Sequence, residues 1–173
     1  SDLEAGDLVL VGLSGGADSL SLLKCALHVG SERTISVGAV IIDHQLQAES
    51  ANTSNRVAGI ARELGANPVL VINVDVAKGP SSGGMEAAAR NARRIAFNNV
   101  LTEHKAKAIL LGHTLEDQGE TVLLGLARGS GARSLSGMRA KEGIYRRPFL
   151  GITRQIVRDE VSDLDVFEDP HNS

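Results

Sequence analysis

Ser14-Gly15-Gly16-Ala17-Asp18-Ser19 follows directly on the apolar run Leu8-Val9-Leu10-Val11-Gly12-Leu13, and a helical stretch opens behind it from about Asp18 to Val29. The turn between them decides the fold. Two glycines let the backbone turn tightly and approach a ligand, the first amides of the helix point into the turn, and the hydroxyls of Ser14 and Ser19 add donors. Such a loop is a phosphate cradle. It lacks the Gly-Lys-Ser/Thr ending of a Walker A loop and the Gly-x-Gly-x-x-Gly of a dinucleotide loop. A plain strand-to-helix turn with serine as N-cap is the alternative reading. Asp18 would repel bare phosphates, so a magnesium ion (Mg2+) between its carboxylate and the phosphate oxygens is expected.

Outward from this loop the same rhythm repeats. Ile35 to Asp43 is a near-continuous apolar run, the pattern of a strand buried on both faces. Val57, Ile60, Ala61 and Leu64 mark one face of a helix. Val69 to Val76 and Ala108 to Leu111 read as further strands, Met85 to His104 and Thr114 to Ala127 as helices. Strands alternating with helices of this length predict βαβ crossovers and a doubly wound, mostly parallel α/β sheet with helices on both faces. Ligands in such sheets bind at the carboxyl ends of strands where the chain order reverses. Lys78 to Gly84 is the one clear loop, and a linker is its plainest reading.

Composition sets bounds on function. The 173 residues, 42% hydrophobic with 19 glycines, suit a single globular domain. Cys25 is the only cysteine, which excludes an internal disulfide and fits a reducing, cytoplasmic setting. No signal peptide, membrane span or membrane partner is expected. The missing initiator Met and the ending Asp169-Pro170-His171-Asn172-Ser173 suggest a fragment. A net charge of −3 argues against a surface that wraps nucleic acid throughout. Local charge differs: Arg128, Arg133, Arg139, Lys141, Arg146 and Arg147 face only Glu142, which makes either a solvated basic loop or a surface for a polyanion.

His113, Asp117 and Glu120 are spaced i, i+4, i+7, which would place them on one face at the start of a helix after a strand. Pointing at one site, they would be catalytic candidates; an acidic solvated face is the alternative. Arg90 and Arg93, three apart on the preceding helix, would either pair with Glu86 or face an anionic substrate.

The loop Ser14 to Ser19 resembles the pyrophosphate loop of the N-type ATP pyrophosphatases. Further stretches resemble the tRNA(Ile)-lysidine synthetases within that family: Asp43-His44-Gln45-Leu46, Glu86-Ala87-Ala88-Ala89-Arg90, and His113-Thr114-Leu115-Glu116-Asp117-Gln118-Gly119-Glu120-Thr121. Arg128-Gly129-Ser130-Gly131, Gly137-Met138, Arg147-Pro148-Phe149-Leu150 and Asp169-Pro170-His171-Asn172 follow in the family's order. Gln45 stands where the family usually has Gly, Glu116 replaces an Asp, and Arg94 replaces a Tyr. The resemblance implies an adenine nucleotide α-hydrolase-like, Rossmann-like catalytic domain over 1–173, lacking C-terminal sequence that helps to grip tRNA.

It further implies ATP held by Ser14, Gly15, Gly16, Ala17, Asp18 and Ser19, with Mg2+ on Asp18 and Asp117. His113, Asp117 and Glu120 would carry the chemistry, with Arg90 and Arg128 toward substrate or tRNA. The expected reaction adenylates the wobble cytidine of an isoleucine tRNA with a CAU anticodon and then joins lysine to it. The oligomeric state stays open, a homodimer included. Two rivals share the loop. A tRNA-thiolating relative would need a cysteine pair, and a nucleotide-binding module without chemistry would not need the His113 block.

Overall fold

The computed structural model describes residues 2–43, 50–74, 84–127, 129 and 136–161, without the side chains of Met85 and Glu86. The chain runs β1 (Leu8–Leu13), α1 (Ala17–Arg33), β2 (Ser36–Asp43), α2 (Ser50–Glu63), β3 (Val69–Asn73), α3 (Gly84–Glu103), β4 (Ala108–Leu110) and α4 (Leu115–Ala127). A hairpin of β5 (Lys141–Glu142) and β6 (Tyr145–Arg146) and the short α5 (Arg154–Asp159) follow.

One sheet holds all the strands in the order β3-β2-β1-β4-β6-β5. Every pairing is parallel except β5 with β6. The chain steps outward from β1 to β3 and then returns across β1 to lay down β4 on its other side, with Val9 opposite Ala108 and Val11 opposite Leu110. The order therefore reverses between β1 and β4, the position at which sheets of this kind form a ligand crevice.

Alternation along β1 divides the core. Val9, Val11 and Leu13 pack with Leu20 and Leu23 of α1, Val57 and Ala61 of α2 and Val157 of α5. Leu10 turns to the opposite face, with Val40, Ile109 and the α3 residues Phe97 and Val100. Burial on both faces explains why the strands read as continuous apolar runs. The expected doubly wound, mostly parallel architecture is what forms.

Some boundaries differ from the sequence reading. Helix α1 continues to Arg33 and ends where Thr34 adopts a left-handed φ of 57°. Gly30 does not stop it: a Cβ there would lie 2.8 Å from Ile35 O and from Val37 Cγ2, so glycine serves close packing in mid-helix. The β5–β6 hairpin and α5 were not foreseen, being too short to show a period. His44 to Gln47, most of the Lys78–Gly84 loop, Arg128, Gly131, Arg133 and Asp169 to Asn172 lie outside the described residues.

Candidate active site

The crevice begins with the loop after β1. Gly15 is buried at φ 89°, and a Cβ there would stand 2.9 Å from Val57 Cγ2, so both backbone and packing require glycine. Ser19 ties the loop together: its Oγ donates to Gly16 O (2.9 Å) and accepts from Ser14 N (3.3 Å). Gly16 is the N-cap of α1, and no side chain caps the helix. Its first-turn amides are therefore open to an anion, aided by the helix dipole. Ala17 packs its methyl against the core behind them.

The end of β4 closes against this loop. A Cβ on Gly112 would meet Asp18 O at 2.8 Å and Ser19 Cα at 3.2 Å, so β4 runs hard against the first turn of α1. Fully buried Thr114 then starts α4. Asp117 Oδ2 accepts from Thr114 N (2.6 Å) and from Thr114 Oγ1 (3.0 Å), so the aspartate reaches back to tie down the helix start.

The other oxygen of Asp117 looks outward. Its Oδ1 accepts a hydrogen bond from Arg154 Nη2 at 2.7 Å, and Arg154 Nε lies 3.5 Å from Asp18 Oδ2. Arg158 Nε approaches Asp18 Oδ1 at 3.6 Å. One guanidinium thus spans two carboxylates from the first turns of α1 and α4. Arg154 is placed by its backbone, whose N–H donates to Glu116 Oε2 at 2.8 Å, and by Leu115 N donating to Ile152 O at 3.0 Å.

Electrostatics sets Asp18 and Glu116 apart. Burial raises the Asp18 carboxyl above its ordinary value, opposed by Arg158 and Arg154 and reinforced by Asp117. Half-buried Glu116 is lowered instead, first by its own backbone N–H and also by that of Arg154. Among the described residues, no group of three or more His, Cys, Asp or Glu side chains is arranged for a metal ion. Asp18 and Asp117 together form a two-carboxylate set, of the kind that holds magnesium when phosphate oxygens complete the shell.

His113 does not lie on α4. It precedes Thr114 in the irregular chain before the helix, so the i, i+4, i+7 spacing to Asp117 and Glu120 is not a helical face. Its Nδ1 is buried without a hydrogen-bond partner. Burial pushes the imidazole down from its ordinary value, Arg147 and Arg93 push the same way, and Asp117 opposes them. Glu120 is exposed one turn beyond Asp117, and among the described residues no recorded contact joins it to the Arg154 cluster. On α3, Arg90 is exposed, while Arg93 rests its guanidinium 5.4 Å from the Phe97 ring centre and is the α3 arginine whose charge reaches His113.

Two residues of the basic stretch are structural. Arg147 is buried and binds Arg139 O (2.7 Å) and Glu142 Oε2 (3.1 Å), while Arg146 Nη2 pairs with Asp2 Oδ2 at 2.6 Å. Conversely, Arg154 and Arg158 had not been singled out. Their i, i+4 spacing behind Thr153 was the available signal, but nothing in one dimension says which carboxylates they meet.

A tRNA(Ile)-lysidine synthase of Thermobifida fusca is 47% identical over 99% of this chain and 53% of its own length. One of Leifsonia xyli is 49% identical over 98% of this chain and 51% of its own. The chain spans about half the length of the curated relatives it matches. A U34-tRNA thiolase, NcsA, of Methanococcus maripaludis, solved with its iron–sulfur cluster, superposes with a TM-score of 0.79 over 97% of this chain and 60% of its own. At 18% identity that likeness concerns the fold. The family model for the PP-loop domain matches residues 3–173, and with its glycine loop at the β1–β4 crevice this chain belongs to the PP-loop family of ATP-using domains.

Proposed function

We propose that this chain is the ATP-pyrophosphatase part of a tRNA(Ile)-lysidine synthase. The observation that carries the reading is the meeting, at one crevice, of the uncapped start of α1 with Asp18, Asp117, Arg154 and Arg158. The names of relatives at 47 and 49% identity support a tRNA and lysine as substrates.

In this reading O2 of the wobble cytidine attacks the α-phosphorus of ATP, and pyrophosphate leaves. The amine of lysine then attacks C2, and AMP departs with the oxygen. No side-chain nucleophile is required, so the protein's part is to position and neutralise. The α1 amides and Ser14 Oγ cradle the β- and γ-phosphates, and Gly15 and Gly16 let the backbone approach them. Asp18 and Asp117 fit a magnesium ion, which when bound supplies charge for the departing pyrophosphate. Arg154 and Arg158 add positive charge beside it. Lysine arrives as an ammonium and must lose a proton. Exposed Glu120 and neutral His113, whose buried Nδ1 has no hydrogen-bond partner, are this reading's candidates to bind that ammonium or accept its proton.

A thiolating chemistry is disfavoured by the sulfur content. Cys25 is half-buried on α1 against core leucines, and burial raises its thiol above the ordinary value. The test is to incubate the protein with ATP, labelled lysine and unmodified isoleucine tRNA, following label into tRNA and tRNA-dependent ATP–pyrophosphate exchange. Incorporation is expected. ATP binding without exchange or incorporation would instead mark a nucleotide-holding module.

A further inference from the structure

Arg154 occupies an unusual place. It is the only described residue recorded in ion-pair contact with both crevice aspartates, at 2.7 Å from Asp117 Oδ1 and 3.5 Å from Asp18 Oδ2. The two contacts are unequal. The Asp117 pair is a short charge-assisted hydrogen bond, whereas the Asp18 pair is too long to be one. Arg154 Nε is buried with no hydrogen-bond partner, and so is Asp18 Oδ1, the oxygen on the Arg158 side, so the cluster leaves a donor and an acceptor unfilled. Buried polar atoms are seldom left so, and when they are, a ligand is a common reason.

The anchoring of Arg154 is equally lopsided. Its main chain is fixed by Glu116 Oε2, and Val157, one turn on, is buried in the core beside α1. Among the described residues its guanidinium, at the end of a flexible stem, is held by carboxylates alone. Such a side chain can exchange partners without moving the helix that carries it.

We propose that Arg154 is a placeholder for the metal ion and a clamp for the leaving pyrophosphate. The inference rests on the ATP-pyrophosphatase reading given above. In the nucleotide-free protein the guanidinium neutralises Asp18 and Asp117, two acids that would otherwise repel each other across the crevice. A divalent cation arriving alone must displace Arg154 and leaves two guanidiniums facing a dication. A divalent cation arriving with a polyphosphate gives Arg154 and Arg158 an anion to turn to. Metal and nucleotide therefore bind with positive coupling, and Arg154 carries the coupling because it competes with one and pairs with the other. Arginine suits this role because its fork fits carboxylate and phosphate alike.

The test is titration of the purified protein with Mn2+, read by the loss of free-ion electron paramagnetic resonance signal, with and without a non-hydrolysable ATP analogue. Wild type, Arg154→Ala, Arg154→Lys and Arg158→Ala are compared, with circular dichroism and thermal melting as fold controls and Arg154→Gln in reserve should the alanine variant not fold. Without nucleotide, Arg154→Ala is expected to bind Mn2+ about tenfold more tightly than wild type, and the enhancement by the analogue is expected to shrink by a similar factor. Arg154→Lys should fall between, and Arg158→Ala, at a residue more exposed and in ion-pair contact with Asp18 but not Asp117 among the described residues, should change less. Arg154→Ala binding Mn2+ no more tightly than wild type without nucleotide overturns the placeholder, even where the analogue still promotes binding. No promotion of Mn2+ binding by the analogue in wild type overturns the ATP reading and the placeholder together.

Discussion

The side-chain amide of Gln118 is bonded at both ends to the backbone of Met138: Nε2 donates to Met138 O at 2.9 Å, and Oε1 accepts from Met138 N at 2.6 Å. The clasp joins the first turn of α4 to a segment twenty residues on that leads into the β5–β6 hairpin. Gly137 beside it has φ 60°, and a Cβ there would lie 2.7 Å from Gln118 Oε1.

Gln118→Glu should therefore destabilise the fold by about 1–3 kcal/mol, because a carboxylate would face Met138 O with no hydrogen to donate. Gly137→Ala should cost a similar amount through its left-handed backbone and the clash, roughly 1–2 kcal/mol for the backbone alone. Urea midpoints for both variants, equal to wild type, would show that the clasp is dispensable.

The two loop glycines should separate folding from binding. Gly15→Ala puts a Cβ 2.9 Å from Val57 at φ 89°, so its stability should drop by about 1–3 kcal/mol. Gly16→Ala sits at φ −75° with its nearest neighbour, Ser14 Oγ, at 3.6 Å, and should fold normally. If Gly16 is there to let phosphate approach the amides, Gly16→Ala should weaken ATP binding at least tenfold, about 1.4 kcal/mol. Calorimetric titration showing unchanged affinity would remove the loop from the ATP site.

Asp18→Asn should abolish metal-dependent turnover without weakening the fold at neutral pH. The carboxyl's raised value means that ionising Asp18 is harder in the folded chain than in the unfolded one. Its contribution to stability is then complete below the ordinary value of 3.8 and is lost as pH rises through the raised folded value. Asn mimics the protonated form. Melting temperatures of the two proteins should coincide at about pH 3 and, above it, Asp18→Asn should be at least as stable as wild type. A large loss at pH 7 would mean that the pairs with Arg154 and Arg158 outweigh burial.

His113 has the opposite pH signature. Its folded value lies below the ordinary 6.5, so stability is complete above 6.5 and is lost as pH falls through that value toward the folded one, the unfolded chain taking up the proton first. His113→Gln should flatten this acid limb of the stability profile. Denaturant midpoints from pH 7.5 to about 5 that fall equally in both proteins would assign the limb to another group.

The basic stretch should bind tRNA weakly when these residues act alone. Arg146 and Arg147 are committed to Asp2, Glu142 and Arg139 O, which leaves few cations for phosphates. We expect shallow discrimination between isoleucine and methionine tRNAs and a steep loss of affinity with salt, measured by fluorescence polarisation around 0.15 M. Tight, selective binding would locate recognition within this segment.

The sequence by itself determined the class of fold and where the loop sits in it. Apolar runs such as Leu8–Leu13 and Ile35–Asp43 are strands buried on both faces, a pattern carried by side-chain period alone, and the glycines of Ser14–Ser19 mark a turn through local backbone preference. Helix α4 was readable for the same reason, though Thr114 as its cap takes His113 off the face that spacing had assigned to it. Only the tertiary structure decided who meets whom. Arg154 is far in sequence from both Asp18 and Asp117, and its reach to them depends on β4 crossing back beside β1 and on α5 packing beside α1. The same holds for Arg147, read as a candidate for polyanions and found buried against Glu142. Charge is legible along a chain, but its partner is fixed by contacts between segments that no local pattern encodes.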